Sequence, residues 1–131
     1  AACVYIVDDD RELCASLEWL MGSVGLEARS FTSAADFLET FDPELVACLI
    51  VDVRMPEISG FRLQEILNER RQQIPVIFVS AHGDIKMSVR ALQQGAVTFL
   101  EKPYEPQHIL DVVQSALEEA RVAGFVDEDE H

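Results

Sequence analysis

Val46-Ala47-Cys48-Leu49-Ile50-Val51-Asp52-Val53-Arg54-Met55-Pro56 sets six apolar residues in an unbroken row, ends them on a carboxylate and then leaves regular structure near a proline. A strand covered on one face alternates apolar with polar residues. One covered on both faces reads as a continuous apolar run, the mark of the middle of a parallel sheet. Cys3-Val4-Tyr5-Ile6-Val7 repeats the pattern, and it too is followed at once by carboxylates, Asp8, Asp9 and Asp10.

Outward from these two runs, residues 26–31 alternate more, residues 75–79 are apolar again and residues 97–100 form a short run. They read as strands two, four and five. Between the strands, Leu13, Leu17, Leu20, Met21 and Val24 recur at helical spacing, as do Ile109, Val112, Val113, Ala116, Leu117 and Ala120. Both stripes predict core-facing helices. Shorter helices fit residues 33–41, 61–71 and 84–94, with Gly25 and Gly95 where helices commonly stop. The expectation is an α/β fold, (βα)5, flavodoxin-like: a five-stranded parallel sheet of order 2-1-3-4-5 with helices on both faces. That order makes the first and third strands neighbours. The loops after Val7 and Val51 then meet at one crevice at the carboxyl edge of the sheet, where ligands of open α/β sheets bind.

Composition is that of a globular chain: 131 residues, 49% apolar and 26% charged. No apolar run approaches the ~20 residues that span a membrane, and the amino end lacks a signal-peptide pattern, so a cytoplasmic location and no membrane partner are expected. The net charge of −14 would repel a phosphate backbone, which disfavours direct nucleic-acid binding. Cys3, Cys14 and Cys48 form no CxxC pair and lie in apolar stretches, so they read as small buried hydrophobes. Residues 1–122 are expected to form one domain, with residues 123–131 an acidic tail or the start of a linker to an absent output domain.

The crevice gathers chemistry. Asp8, Asp9 and Asp52 bring three carboxylates to one small volume, a costly arrangement unless a cation intervenes, and hard oxygen ligands suit Mg²⁺. Asp10 is explained more simply as a helix cap. Ser80 ends the fourth strand and Lys102 the fifth, so a hydroxyl and an ammonium are delivered to the same edge. A carboxylate nucleophile, a metal site, a hydroxyl donor and a cation are the parts needed to accept a phosphoryl group.

With V-D-D-D at 7–10, D-V-R-M-P-E-I-S-G at 52–60, S-A-H-G-D at 80–84 and E-K-P at 101–103, the chain resembles a response-regulator receiver domain of two-component systems, in particular receivers of the FixJ type. The resemblance spans about residues 3–122. It implies a phosphorylation-dependent switch in which Asp52 accepts a phosphoryl group from a sensor histidine kinase. Asp9 would be a direct Mg²⁺ ligand, Asp8 a ligand through water, and Asp52 and the backbone carbonyl of Arg54 further ligands. Ser80 would bond a phosphoryl oxygen, and Lys102 would pair with Asp52 or its phosphate. Arg54 and His82 would tune the lifetime of the modification from the rim of the pocket. Ser80 and Phe99 would form the switch. The output face would comprise the fourth helix, fifth strand and fifth helix, with Val89, Gln93 and Phe99 forming a homodimer interface when the domain is phosphorylated. DNA would be read only through a C-terminal helix-turn-helix domain missing from this chain. No turnover enzyme is expected beyond the domain's own phosphorylation and dephosphorylation. A haloacid-dehalogenase-like phosphatase would want a second acid where Arg54 stands; a flavodoxin would want a glycine-rich, phosphate-holding loop where Asp8 to Asp10 stand. A degenerate, binding-only receiver is disfavoured because Asp8, Asp9, Asp52, Ser80 and Lys102 are all present.

Overall fold

The computed structural model describes residues 2–81 and 85–129 of the chain. Along it run β1 (Ala2–Val7), α1 (Arg11–Ser23), β2 (Glu27–Phe31), α2 (Ala34–Thr40), β3 (Val46–Asp52), α3 (Gly60–Glu69), β4 (Val76–Ser80), α4 (Ile85–Gln93), β5 (Thr98–Glu101) and α5 (Pro106–Asp129). The strands form one sheet in the order β2-β1-β3-β4-β5, and every pairing is parallel. The expected topology is the observed one.

Alternation along the central strands divides the core into two layers. Tyr5, Leu49, Val51 and Phe78 face α2, α3 and α4, where they meet Phe37, Phe61, Leu63 and Leu67. Val4, Ile6, Ile50 and Ile77 face α1 and α5, where they meet Leu17, Met21, Ile109 and Val113. Because both faces of β1, β3 and β4 are covered, their runs carry almost no polar residues until the last position. Asp52 and Ser80 stand at that last position, polar yet buried at the carboxyl edge of the sheet.

One detail differs from the sequence reading. Val24 belongs to no core stripe: it is the residue at which α1 stops, its N–H turned back to Gly22 and Met21, and it stands 44% exposed. Gly25 (φ 80°) then reverses the chain, so the next apolar residue to pack inward is Leu26. At the carboxyl end the α5 backbone passes residue 122 without a break and stays helical to Asp129. Once a helix is nucleated, each further residue adds a hydrogen bond, so the acidic segment prolongs α5 as far as the described residues reach. Cys3, Cys14 and Cys48 are free and buried, and burial pushes the Cys48 thiol up to about 12.

The start of α1 is held by Asp10, whose Oδ1 accepts from the backbone N–H groups of Glu12 (3.0 Å) and Leu13 (3.3 Å). Replacing it with alanine orphans those donors without touching the core. Asp10→Ala is expected to cost about 1 kcal/mol of unfolding free energy, read as a lower urea midpoint at unchanged slope; an unmoved midpoint would contradict the capping role.

Candidate functional site

The carboxyl edge of the sheet assembles the site from the ends of four strands. Asp52 closes β3, and the next N–H, that of Val53, still bonds to Val79 O at 3.0 Å, so the strand register extends one residue beyond the carboxylate. The Asp52 side chain is fixed from two sides. Its Oδ1 accepts from Arg54 N at 2.9 Å, and its Oδ2 accepts from Lys102 Nζ at 2.8 Å. The loop then doubles back: Gly60 N donates to Val53 O at 3.0 Å, and a Cβ at residue 60 would stand 2.4 Å from Asp52 O. Only glycine lets α3 begin this close to the end of β3. Within the loop, Glu57 holds φ 68°, a left-handed conformation that costs energy in a non-glycine residue and persists because the flanking contacts impose it.

Asp8 is buried at the end of β1, whose register with β2 is prolonged by Asp8 N donating to Phe31 O at 3.1 Å. Its Oδ1 accepts from Asp10 N and its Oδ2 from Lys102 Nζ, both at 2.9 Å. The Cys14 thiol donates to the Asp8 carbonyl at 3.3 Å. Asp9 is exposed at the mouth, and carboxylate oxygens of Asp8, Asp9 and Asp52 lie within 4.8 Å of one another. Lys102 comes in from the end of β5, where its N–H bonds to Ser80 O at 2.8 Å. Ser80 is fully buried at the end of β4, paired in register with Glu101.

Three carboxylates facing one ammonium leave the pocket two positive charges short. The donor set is all oxygen, one member is open to solvent, and the shortfall equals the charge of a divalent ion; these residues therefore fit a hard divalent cation that keeps part of its water shell. The electrostatics agree. Burial pushes the Asp8 carboxyl above its ordinary value, against the bonds from Lys102 and Asp10 that favour its charged form. For Lys102 burial works to lower the pKa, yet the bonds and charges of Asp52 and Asp8 outweigh it and the net shift is upward, so the ammonium stays charged. Burial likewise pushes the neighbouring Tyr104 phenol up to about 12.

The residues expected from the sequence fall into three groups. Asp8, Asp9, Asp52 and Lys102 are brought together, with Ser80 on the adjoining strand end. Arg54 is exposed beside them, its N–H committed to Asp52. Phe99 lies away from the carboxylates on β5, half-buried and in register with Phe78, while Val89 and Gln93 are exposed on α4. His82 lies outside the described residues. The direct Lys102–Asp8 pair was not anticipated, nor was the part played by Gly60. The signal for the latter was available, since a glycine directly after a capping Ser59 at a helix start favours close approach over helix propensity.

A five-stranded parallel sheet of order 2-1-3-4-5, carrying an acidic pocket and an inward lysine at its carboxyl edge, defines a receiver-type signalling module. The chain belongs to the response regulator receiver domains, whose family model matches residues 4–114. The transcriptional regulatory protein TdiR of Thauera aromatica is 44% identical over 117 residues, which cover 89% of this chain and 52% of that protein. The transcriptional regulatory protein FixJ of Azorhizobium caulinodans is 41% identical over 114 residues, covering 87% of this chain and 54% of that one. Among solved structures, the response regulator StyR superposes with a TM-score of 0.93 at 41% identity, covering 98% of this chain and 65% of that chain. The crystal structure of FixJ-N superposes with a TM-score of 0.82 at 36% identity, covering 90% and 94% respectively. The chain thus spans about half the length of these curated relatives. As a receiver domain of the kind found in transcriptional response regulators, it is a phosphorylation-dependent signalling switch. The comparisons give no support to a phosphatase or to a binding-only receiver.

The raised pKa of Asp8 has a testable sign. An acid that holds its proton more tightly when folded favours the folded state below its unfolded pKa, and that contribution is lost as pH rises through the folded value. At neutral pH the buried Asp8 charge therefore counts against stability. Without added metal, Asp8→Asn is expected to raise the thermal midpoint at pH 7, and the gain should shrink as pH falls through the carboxylate range. A gain that is absent at pH 7, or that grows towards low pH, would contradict this.

Proposed function

We propose that Asp52 is the phosphoacceptor, that Mg²⁺ held by Asp9, Asp52 and the backbone carbonyl of Arg54, with Asp8 acting through water, is required for the transfer, and that the modification is read out on the α4-β5-α5 face. The observation that carries this reading is Lys102, whose one ammonium bridges Asp8 and Asp52 at 2.9 and 2.8 Å inside the acidic pocket.

A carboxylate oxygen of Asp52 attacks the phosphorus of a phosphohistidine on a sensor kinase; the P–N bond breaks as the P–O bond forms, and the released imidazole takes up a proton. Negative charge then sits on the outer phosphoryl oxygens. Lys102 is already within reach of Asp52 and moves from balancing two carboxylates to pairing with the phosphate. Ser80, at the end of the neighbouring strand, supplies a hydroxyl to another oxygen. Mg²⁺, when bound, neutralises the charge that otherwise sets the acceptor and an incoming phosphoryl group against each other. Arg54 and His82 stand at 2 residues beyond Asp52 and Ser80 in the sequence, and are assigned the tuning of phosphoryl lifetime.

Transmission needs an element held loosely enough to shift, and α4 fits. Among its described residues only Ala91 is fully buried, whereas α5 buries Ile109, Leu110, Val113, Ala116 and Leu117. Few buried contacts place a segment at the low end of local stability. Inward movement of Ser80 changes the space beneath α4, and half-buried Phe99 on the adjacent strand is the aromatic able to fill it. The face carrying Val89, Gln93 and Phe99 then pairs with a second copy, and a DNA-binding domain following α5 carries the signal to transcription. The domain works in the cytoplasm; no helix among the described residues is long and apolar enough to cross a membrane.

Metal dependence is the nearer test. Intact-mass measurement after incubation with a small phosphodonor should show one phosphoryl group in Mg²⁺ and none in excess chelator, and Asp9→Ala should lose the modification at Mg²⁺ levels that saturate the wild type. Undiminished labelling in chelator would remove the metal from the mechanism. Output is tested by sedimentation: the unmodified domain should run as a monomer and the phosphorylated one as a dimer, with Phe99→Ala weakening the response. Equal association states with and without phosphodonor would refute phosphorylation-driven pairing.

A further inference from the structure

Between the loop that follows β3 and the helix α4 runs an open groove of about 740 Å³. Arg54, Lys86 and Arg90 stand along it, and Met55, Phe61 and Met87 supply apolar wall between them. No aspartate or glutamate is among its described lining residues. In a chain of net charge −14 that is a local reversal of sign. Of the 10 lysines and arginines, Arg29, Arg62, Lys102 and Arg121 are committed to carboxylates. Arg54, Lys86 and Arg90 are exposed and form no ion pair among the described residues.

Arg90 is held in place for a ligand. Its guanidinium carbon lies 4.4 Å from the centroid of the Phe61 ring, which is itself braced 5.0 Å from the Phe78 ring. Stacking uses the face of the guanidinium and leaves the N–H groups at its edges to a planar acceptor such as a carboxylate. Met55 and Met87 are half-buried, and their unbranched thioethers can reshape around an inserted apolar group. A nucleic acid would satisfy the cations but leave the methionines bare, and the acidic remainder of the chain repels it. An extended acidic peptide points successive side chains to opposite sides, so it can set carboxylates against the cations and an apolar residue between the methionines. The chain's other negative charges are screened beyond about 8 Å at physiological ionic strength, which leaves the groove its own local sign.

From this charge complementarity we infer that the groove docks an acidic segment of a partner protein, an extended run of aspartate or glutamate interrupted by one aromatic residue. Val89 and Gln93 do not line the groove, so the surface is separate from the face assigned to pairing. The occupant spans from the loop carrying Arg54 to α4 and ties down a helix that buries few residues of its own. The docking does not depend on phosphorylation of Asp52.

The test is a heteronuclear NMR titration of the 131-residue chain in excess Mg²⁺, which keeps the acidic pocket occupied. The probe is a blocked Asp-Glu-Phe-Glu-Asp peptide; Asn-Gln-Phe-Gln-Asn removes its charge and Asp-Glu-Gly-Glu-Asp its apolar anchor. Saturable shifts at the backbone amides of Arg54, Met55, Met87 and Arg90 are expected, with each control weaker by about tenfold. Lys86→Glu, a change at an exposed side chain, should weaken the acidic probe by about fivefold. Arg70→Glu, the same change of charge at the other end of α3, should leave binding unchanged. Equal binding of the uncharged control, equal loss in Lys86→Glu and Arg70→Glu, or shifts that fail to saturate would overturn the assignment. Self-association of the chain without peptide, abolished by Lys86→Glu, would give the groove to a second copy and overturn the assignment to a partner protein.

Discussion

Lys102 stands at the end of the last strand, and its ammonium lies 2.9 Å from Asp8 and 2.8 Å from Asp52. Those two carboxylates end β1 and β3, the neighbours at the centre of the sheet, so one cation ties together three strands whose sequence positions are 50 and 94 residues from it. The pair bonds do more than hold the edge closed. Burial disfavours the charged form of Asp8, and an isolated ammonium at this depth would be costly as well. The pocket tolerates its charges only as a set, and the set is still two positive charges short once Asp9 is counted. That deficit makes the site receptive to a divalent ion.

The rest of the fold can be seen as support for that point. Continuous apolar runs drive β1, β3 and β4 into the interior and leave the buried polar residues Asp8, Asp52 and Ser80 at the strand ends. Gly60 lets α3 start against the Asp52 backbone, and Asp10 caps α1 while its N–H steadies Asp8. These contacts fix the carboxylates before any ligand arrives, so little reorganisation is needed when charge develops. By contrast, α4 is anchored by few buried residues, with the Arg90 guanidinium stacked 4.4 Å over Phe61 as one tie to the neighbouring helix. Rigidity at the acidic pocket and looseness in the adjoining helix are complementary properties in a two-state switch.

Most of this was legible in the sequence because it rests on periodicity and on position at strand ends. Val46 to Val51 could only be a doubly covered strand, and once β1 and β3 were neighbours Asp8, Asp9 and Asp52 had to converge. The Asp10 cap followed from its place before a helical stripe. What escaped were features that depend on three-dimensional closeness rather than on pattern. Val24 sits at helical spacing with Leu13, Leu17 and Leu20, but chain reversal at Gly25 turns it outward. Lys102 reaching Asp8 as well as Asp52 is a matter of side-chain length across two strands. The groove lined by Arg54, Lys86 and Arg90 draws on two separate stretches of the chain and has no linear signature at all.

The central claim is that, of the two carboxylates Lys102 bridges, Asp52 is the one modified. Treating the Mg²⁺-loaded domain with a small phosphodonor, reducing any acyl phosphate with borohydride and mapping the product by peptide mass spectrometry tests it most directly. Conversion of Asp52 to homoserine, with Asp8 and Asp9 unchanged, is the predicted result. Homoserine at Asp8 or Asp9, or a phosphoryl group that survives borohydride on a hydroxyl such as that of Ser80, would contradict it.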